Sequence, residues 1–187
     1  MPSLTQQLKE LGDLVHAMES QLPGVEAAAR AVVETLQAGN KILACGNGGS
    51  ASDAMHLVEE LAGRYRSDRQ ALPAIALVAD PTVTSCIAND WDFDSVFSRQ
   101  VEAHGRPGDL LVGFSTSGKS PNVIRAFEVA SGLGVRTLGL LGKDGGPCRD
   151  QADMTVVVPH DNTARIQEIH TWLLHVFLEA VEEAYVR

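Results

Sequence analysis

The chain has 187 residues, of which 44 % are hydrophobic and 21 % are charged, proportions that are usual for one globular domain with a substantial core. Its formal net charge of −9 argues against a nucleic-acid partner, because phosphate backbones bind clustered Lys and Arg. The three cysteines are too far apart for a disulfide framework, the N-terminus has no signal-peptide core, and no run approaches the ~20 apolar residues of a membrane span. We therefore expect a cytoplasmic protein with no membrane partner.

Apolar residues near the N-terminus recur every three or four positions and predict a helical hairpin over residues 1–38. They are Leu4, Leu8, Leu11, Val15, Met18 and Leu22. Pro23 is expected to end this helix, and a second helix is predicted from Val25 to Gln37. Two interpretations of the narrow apolar seam are open, since it can pack on the chain's own core or against another subunit.

Five short apolar runs follow, rich in Val, Ile and Leu, and they predict buried parallel strands. These runs span residues 41–45, 73–79, 109–115, 135–141 and 154–159. Helical patterns alternate with them at Ser50–Arg64, Asn122–Leu133 and Thr163–Tyr185. The alternation predicts an α/β core over residues 39–187, with a doubly wound, mainly parallel five-stranded sheet flanked by helices. Ligands of such sheets bind beside the carboxyl ends of the strands.

The segment "CGNGGSAS" follows the first predicted strand and begins a helix. Glycines allow the backbone to approach a ligand, and a helix N-terminus offers unpaired N–H groups to an anion. Two other interpretations are open. The segment can be a tight turn only, or a dinucleotide site, because Gly46, Gly48 and Ala51 satisfy the loose G-x-G-x-x-A pattern and Asp80 closes the second strand.

The segment "FSTSGKSPN" also follows a buried run and also begins a helix. Its hydroxyl side chains are Ser115, Thr116, Ser117 and Ser120. Hydroxyls and helix-start amides around Gly118 suit a phosphate monoester, whereas a dinucleotide site has no need of this second loop. The alternative is a serine-rich helix cap without a ligand.

Two predicted helices carry polar residues that can converge near these loops. His56 and Glu60 are four residues apart and share a face, while Gln167 and His175 are eight apart, about 80° around their helix. Imidazole, carboxylate and amide side chains are credible zinc ligands. His170 points about 140° away from His175, which indicates a structural role.

Several other polar residues receive simpler interpretations. Glu59 is expected to face away from His56 and Glu60 and to be solvated, and we expect His16, His104 and His160 to be surface or satisfied core residues. The acidic segment "NDWDFDS" lacks the Gly and bidentate Glu of a calcium loop. We therefore interpret it as a substrate loop around Asn89 and Asp90.

Seven segments together resemble the sugar isomerase (SIS) domain and, within it, the phosphoheptose isomerase family. They are "CGNGGS", "DAMHLVEELAGRY", "AND", "FSRQVEA", "STSGKSPN", "GKDGG" and "RIQEIHTWLLH". The resemblance implies an aldose–ketose isomerase that converts sedoheptulose 7-phosphate to D-glycero-D-manno-heptose 7-phosphate. That product leads to nucleotide-activated heptose for lipopolysaccharide and other surface glycans. The resemblance also implies a homotetramer with sites at subunit contacts.

The resemblance assigns roles to individual residues. It implies one zinc ion per subunit, held by His56, Glu60, Gln167 and His175, with Glu60 and His175 also acting as base and acid. The implied substrate contacts are Asn47, Gly48, Gly49, Glu60, Asn89, Asp90, Ser115, Thr116, Ser117, Ser120 and Gln167. Arg64, one turn beyond Glu60, is expected to reach a phosphate or a neighbouring subunit. A carboxylate bound to zinc is a poorer base, so whether Glu60 is base, ligand or both stays open.

A non-catalytic protein is the alternative function. Some proteins of the same fold bind the replication initiator, and others sense sugar phosphates. The replication regulators lack the pair that matches Glu60 and His175, whereas this sequence has both residues. The sequence therefore favours the enzyme.

Overall fold

The computed structural model describes residues 3–186, and within that range five strands form one sheet. The strands are β1 (Ile42–Gly46), β2 (Ala74–Ala76), β3 (Leu110–Ser115), β4 (Arg136–Gly142) and β5 (Met154–Val158). Their order is β2-β1-β3-β4-β5 and every neighbouring pair is parallel, which confirms the predicted doubly wound sheet. The β2 strand is shorter than the predicted run because the N–H of Ala79 turns back to the carbonyl of Ala76.

Eight α-helices surround the sheet within the described range. They are α1 (Leu4–Ala17), α2 (Leu22–Gln37), α3 (Gly49–Ala62), α4 (Pro81–Asp90), α5 (Ser98–His104), α6 (Pro121–Gly132), α7 (Gly146–Gln151) and α8 (Thr163–Tyr185). The sequence patterns did not predict α4, α5 or α7. None of the described helices is long and apolar enough to cross a membrane.

The N-terminal hairpin differs from its prediction at the turn. The α1 helix ends at Ala17, a single 3₁₀ turn covers Met18–Gln21, and α2 begins at Leu22. The prediction that Pro23 ends the first helix was therefore wrong. Proline is tolerated in the first turn of α2, because the N–H that it lacks has no intrahelical partner there.

The apolar seam of the hairpin lies mostly outside the protomer's core. Met18 is buried, but Leu4 is 84 % exposed and Leu8 is 72 % exposed. Leu14, which is not part of the seam, is the buried side chain of α1, and Leu11 of the seam packs half-buried against the same core. Packing on the chain's own core is therefore the wrong interpretation for most of the seam.

The two faces of the sheet are covered by different helices. Ile42 and Ala44 of β1 pack into the core formed with α1, α2, α3 and α8. Leu43 and Cys45 point to the opposite face, where α5 and α6 supply most of the packing. Burial of both faces explains why the strands are continuous apolar runs rather than alternating ones.

Strand order fixes the place of the predicted site. The chain reverses its direction of progress through the sheet between β1 and β3, which is the point where doubly wound sheets bind ligands. Gly46 at the end of β1 pairs with Phe114 near the end of β3. The two predicted phosphate loops therefore leave the sheet side by side.

Candidate active site

The first loop, residues 46–49, is here called the glycine loop. Gly48 has a φ of +58°, a conformation that side chains rarely adopt. A Cβ atom on Gly46 would lie 2.6 Å from the carbonyl oxygen of Ser50, and one on Gly49 would lie 2.7 Å from Cδ of Gln167. Close packing by neighbouring atoms therefore accounts for the glycines at positions 46 and 49. Gln167 of α8 lies directly against the start of α3.

The second loop, residues 115–120, is here called the hydroxyl loop. The hydroxyl groups of Ser115 and Ser120 lie 3.0 Å apart, and the N–H of Gly118 donates to Oγ of Ser115 at 3.1 Å. A side chain on Gly118 would collide with the carbonyl oxygen of Gly145, so the segment that begins α7 supports this loop from behind. Thr116 and Ser117 are half-buried. The loop is compact, with its hydroxyls around the start of α6.

Helices α3 and α8 run in the same direction and touch at each successive turn. The contacts are Gly49 with Gln167, Asp53 with Thr171, and His56 with His175. The hydroxyl of Thr171 donates to Oδ1 of Asp53 at 3.0 Å, and the rings of His56 and His175 have their centroids 5.0 Å apart at an angle of 82°. The structure therefore places His175 beside His56, whereas Gln167 lies beside Gly49, about two turns of α3 away from His56.

Side chains of the types that bind metal ions cluster around His56, where α3 meets α8. Nε2 of His56 is 3.7 Å from Oε1 of Glu60, and ligand atoms of His56, Glu59 and Glu60 all lie within 4.8 Å of one another. Glu59 is exposed, as expected, but the expectation that it faces away from the pair was wrong. Residues three apart on a helix are neighbours, and this places Glu59 beside His56.

The donor set fits a metal ion. Ligand atoms of a tetrahedral zinc site lie about 3.4 Å apart, given Zn–N and Zn–O distances of about 2.0–2.2 Å. The 3.7 Å between His56 and Glu60 is close to that spacing. Burial, followed by the charge of His56, holds the pKa of His175 below its usual range, which favours the neutral imidazole that a metal ion binds. The residues present are compatible with a metal.

The segment after α3 holds Glu60 and His175 in place. The buried guanidinium of Arg69 donates to the carbonyl oxygen of Glu60 at 2.6 Å and contacts Glu182 of α8 at 3.3 Å. Tyr65 stacks on the ring of His175, with centroids 6.0 Å apart. The end of α3 is therefore tied to α8 on the side of the cluster.

Three predicted substrate residues lie in a different local structure from the one expected. Arg64 is exposed and lies beyond the end of α3, because the helix ends at Ala62 and not at Arg64. Asn89 and Asp90 form the last turn of α4, so the prediction of a loop there was wrong. The amide of Asn89 donates to Oδ1 of Asp90 at 2.8 Å, and both residues are exposed.

Two further residues of the candidate site were not predicted from the sequence. Asn122 in the first turn of α6 exchanges hydrogen bonds with Asn47. Asp53 is buried beside His56; burial raises its pKa, and its Oδ2 atom has no hydrogen-bond partner among the described residues. The spacing of Asp53 three residues before His56 was a signal that could have found it. Asn122 gave no periodic signal.

His170 is buried, as a structural role predicts. Its ring lies 5.9 Å from that of Phe114, and burial lowers its pKa to about 4. It is therefore a neutral core residue near neutral pH.

The chain is similar to known proteins over most of its length. The SIS domain family model matches residues 6–142. The phosphoheptose isomerase of Citrifermentans bemidjiense is 49 % identical over 97 % of this chain and 95 % of its own. The structure of phosphoheptose isomerase from Neisseria gonorrhoeae superposes with a TM-score of 0.91 at 40 % identity, over 96 % of this chain and 97 % of that one. A phosphoheptose isomerase structure from Francisella tularensis gives a TM-score of 0.89 at 33 % identity, over 98 % and 100 %.

Fold and site together define an α/β domain with the glycine and hydroxyl loops at a sheet switch point and a cluster of histidine and glutamate side chains on the helix that follows the glycine loop. The chain belongs to the SIS domain family and, within it, to the phosphoheptose isomerases.

Proposed function

We propose that this protein is an aldose–ketose isomerase that converts sedoheptulose 7-phosphate to D-glycero-D-manno-heptose 7-phosphate. One observation carries the proposal: the glycine and hydroxyl loops lie at the same sheet edge as the start of α3, and α3 leads to His56, Glu60 and their neighbour His175. A phosphate site joined to an acid–base cluster is what the isomerisation of a sugar phosphate requires.

The phosphate is expected to bind in the hydroxyl loop. Thr116, Ser117 and Ser120 offer hydroxyl groups around the first turn of α6, whose N–H groups and dipole favour an anion. The glycine loop provides a second helix start within reach of the same ligand, with Gly48 and Gly49 exposed. Asn47, Ser115 and Gln167, together with Asn89, Asp90 and Arg64, stay predicted contacts to the sugar or its phosphate.

The separation of the two parts suits a long sugar. Gly49 and His56 are seven residues apart on α3, which corresponds to about 10 Å along the helix axis. An extended chain advances about 1.2 Å per bond, so the roughly eight bonds from C1 of a heptose to its phosphate cover a similar length. The carbons C1 and C2 can therefore lie beside Glu60 while the phosphate is held at the loops.

Glu60 and His175 then carry the proton transfer. Glu60 removes a proton from C1 of the ketose while the oxygen on C2 accepts a proton from His175, which gives a 1,2-enediol. Glu60 returns the proton to C2, and the hydroxyl on C1 gives its proton to His175, which leaves the aldehyde oxygen on C1. Positioned acid–base groups contribute about 10²–10⁴-fold to such a step.

We assign one zinc ion per subunit to His56, Glu60, Gln167 and His175, the set that the family resemblance implies. When bound there, zinc would polarise the carbonyl oxygen of the sugar. Glu59 lies close enough to His56 and Glu60 to add a further carboxylate to this set. The same carboxylate of Glu60 has to serve as ligand and base, or to alternate between the two.

We also propose a homotetramer whose sites lie at subunit contacts. Leu4, Leu8 and Val15 are exposed on α1, and a groove of about 460 Å³ between α1, α2 and α8 is lined by Trp172, among other residues. Trp172 is three residues from His175, so a subunit covering this groove would also border the site. The protein is further assigned to the cytoplasm and to the first step of nucleotide-activated heptose synthesis for lipopolysaccharide.

The test is conversion of sedoheptulose 7-phosphate by purified, zinc-supplied protein, with and without a chelator, followed by chromatographic separation of the two heptose phosphates. We expect the aldose product to form and the chelator to reduce its rate. Absence of product above background would contradict the proposal and favour a non-catalytic protein that binds a sugar phosphate or the replication initiator.

A further inference from the structure

A pair of asparagine side chains joins the glycine loop to the hydroxyl loop. The amide group of Asn47 donates to Oδ1 of Asn122 at 2.9 Å, and the amide group of Asn122 donates to Oδ1 of Asn47, also at 2.9 Å. Asn47 lies between β1 and α3, and Asn122 lies in the first turn of α6. The pair therefore links the starts of the two helices that flank the proposed phosphate site.

Burial and strand geometry both indicate that the asparagine pair connects the two loops. Asn122 is 1 % exposed, and burying an amide costs free energy unless hydrogen bonds replace those made to water. The reciprocal bonds satisfy this need on both side chains. Strand pairing brings Gly46 beside Phe114, and this is the last pair between β1 and β3. The amide pair supplies the link between the loops past the ends of the strands.

We infer that Asn122 is a positioning residue for the isomerisation and that it acts through Asn47. This inference rests on the proposed function. The hydroxyl loop holds the phosphate, whereas α3 carries His56 and Glu60, so a fixed separation of the two loops keeps the reacting carbons of the sugar within reach of Glu60. Without the pair the phosphate still binds, but a hydrogen-bonded link between the start of α3 and the hydroxyl loop is lost, so their separation is less closely fixed. A displacement of about 1 Å at reacting atoms can cost on the order of a hundredfold in rate.

Asn47 has a second available role, because its amide keeps one N–H and one lone pair for direct contact with the sugar. The two roles differ in additivity. If the amides act as one unit, removing either breaks the same contact, and removing both costs no more than removing one. If Asn47 binds the sugar independently of Asn122, the two effects multiply.

The test is a double-mutant cycle with Asn47→Ala, Asn122→Ala and the double variant. The readouts are kcat and KM for sedoheptulose 7-phosphate and competitive inhibition by inorganic phosphate. We expect each single variant to lower kcat by about tenfold to a hundredfold, and the double variant to match the single variants within about threefold. Inhibition by phosphate should change less than about threefold, because Ser117 and Ser120 remain in place.

Three results would overturn the inference. The first is multiplication of the two effects in the double variant, and the second is wild-type kcat in Asn122→Ala. The third is a loss of phosphate inhibition as large as the loss of kcat, which would indicate collapse of the hydroxyl loop. If Asn122→Ala does not fold, Asn122→Ser replaces it in the same cycle, because serine stays polar in the buried position but its single hydroxyl cannot form both hydrogen bonds to Asn47. An inactive wild type would overturn the proposed function as well, whereas an active wild type with multiplying effects overturns this inference alone.

Discussion

The variant Gly49→Ala tests whether the amide of Gln167 must lie where the structure places it. A Cβ atom on Gly49 would lie 2.7 Å from Cδ of Gln167, and ordinary contact begins at 3.4 Å. The backbone of Gly49 is helical with a negative φ, so alanine itself is not strained there. The flexible side chain of Gln167 must therefore retreat by about 1 Å.

This displacement should separate activity from stability. Alanine is a better helix former than glycine by up to about 1 kcal/mol, so the melting temperature should stay the same or rise. Turnover of sedoheptulose 7-phosphate should fall by about a hundredfold, since a shift of about 1 Å at a site residue has effects of that order. If Gln167 is a zinc ligand, the affinity for zinc should fall in the same variant.

The assay is steady-state turnover together with bound zinc and thermal unfolding. Gly132→Ala in α6 is a matched control, because nothing lies within 4 Å of the Cβ atom it would add. Wild-type turnover and zinc content in Gly49→Ala would refute the reasoning and remove Gln167 from the site. A large fall in melting temperature would show that the clash is relieved by the backbone instead.

Three further predictions concern the hydroxyl loop, the buried His170 and the apolar seam of the N-terminal hairpin. Ser117→Ala and Ser120→Ala should each raise KM about tenfold or more, because a hydrogen bond to a charged group contributes roughly 1.5–3 kcal/mol. The kcat should change little, because phosphate contacts persist in the transition state. An unchanged KM would place the phosphate elsewhere. The pKa of His170 is about 4, so the unfolded chain alone takes up this proton between pH 6.5 and about 4, and stability should fall by about 3 kcal/mol as the pH falls through that window. His170→Leu should lack this component in urea titrations, and an unchanged pH slope would assign it to other groups. Leu8→Glu should dissociate the proposed homotetramer, as measured by light scattering, whereas a wild type that is already a 20.0 kDa monomer would exclude the proposed interface.

Strands and loops could be predicted because their signals are local. Parallel strands buried on both faces are continuous apolar runs, and the glycine-rich and serine-rich segments follow two of them directly. The pairing of His56 with Glu60 follows from helical spacing alone. Whether Gln167 and His175 come near this pair depends on how α3 and α8 pack, so helical spacing showed only that the two helices can converge, and the family resemblance implied that they do.

The wrong or missing predictions fall where the local sequence signals are weak or support two structures. The α4 helix contains Thr82, Val83 and Thr84, which are poor helix formers, and its start depends on Asp80, whose carboxylate accepts from the N–H groups of Thr82 and Val83. Pro23 is compatible both with the end of one helix and with the first turn of the next, so the residue alone does not show which of the two is present.

The partnership of Asn122 with Asn47 joins residues 75 positions apart in sequence. No periodic pattern reports such a contact, because it depends on the register of β1 against β3. Long-range polar contacts of this kind become visible only when the topology is known.

The most direct test of the proposed mechanism is turnover of sedoheptulose 7-phosphate by the wild type and by Glu60→Gln, with bound zinc measured on both. The variant keeps the shape of the side chain and a carbonyl oxygen ligand but loses the basic carboxylate. We predict that the wild type forms the aldose and that the variant is slower by at least ~10²-fold even in excess zinc, as expected for loss of a general base. Near-wild-type turnover of Glu60→Gln would contradict the assignment of Glu60 as the base, and recovery of activity in excess zinc would reduce its role to that of a ligand.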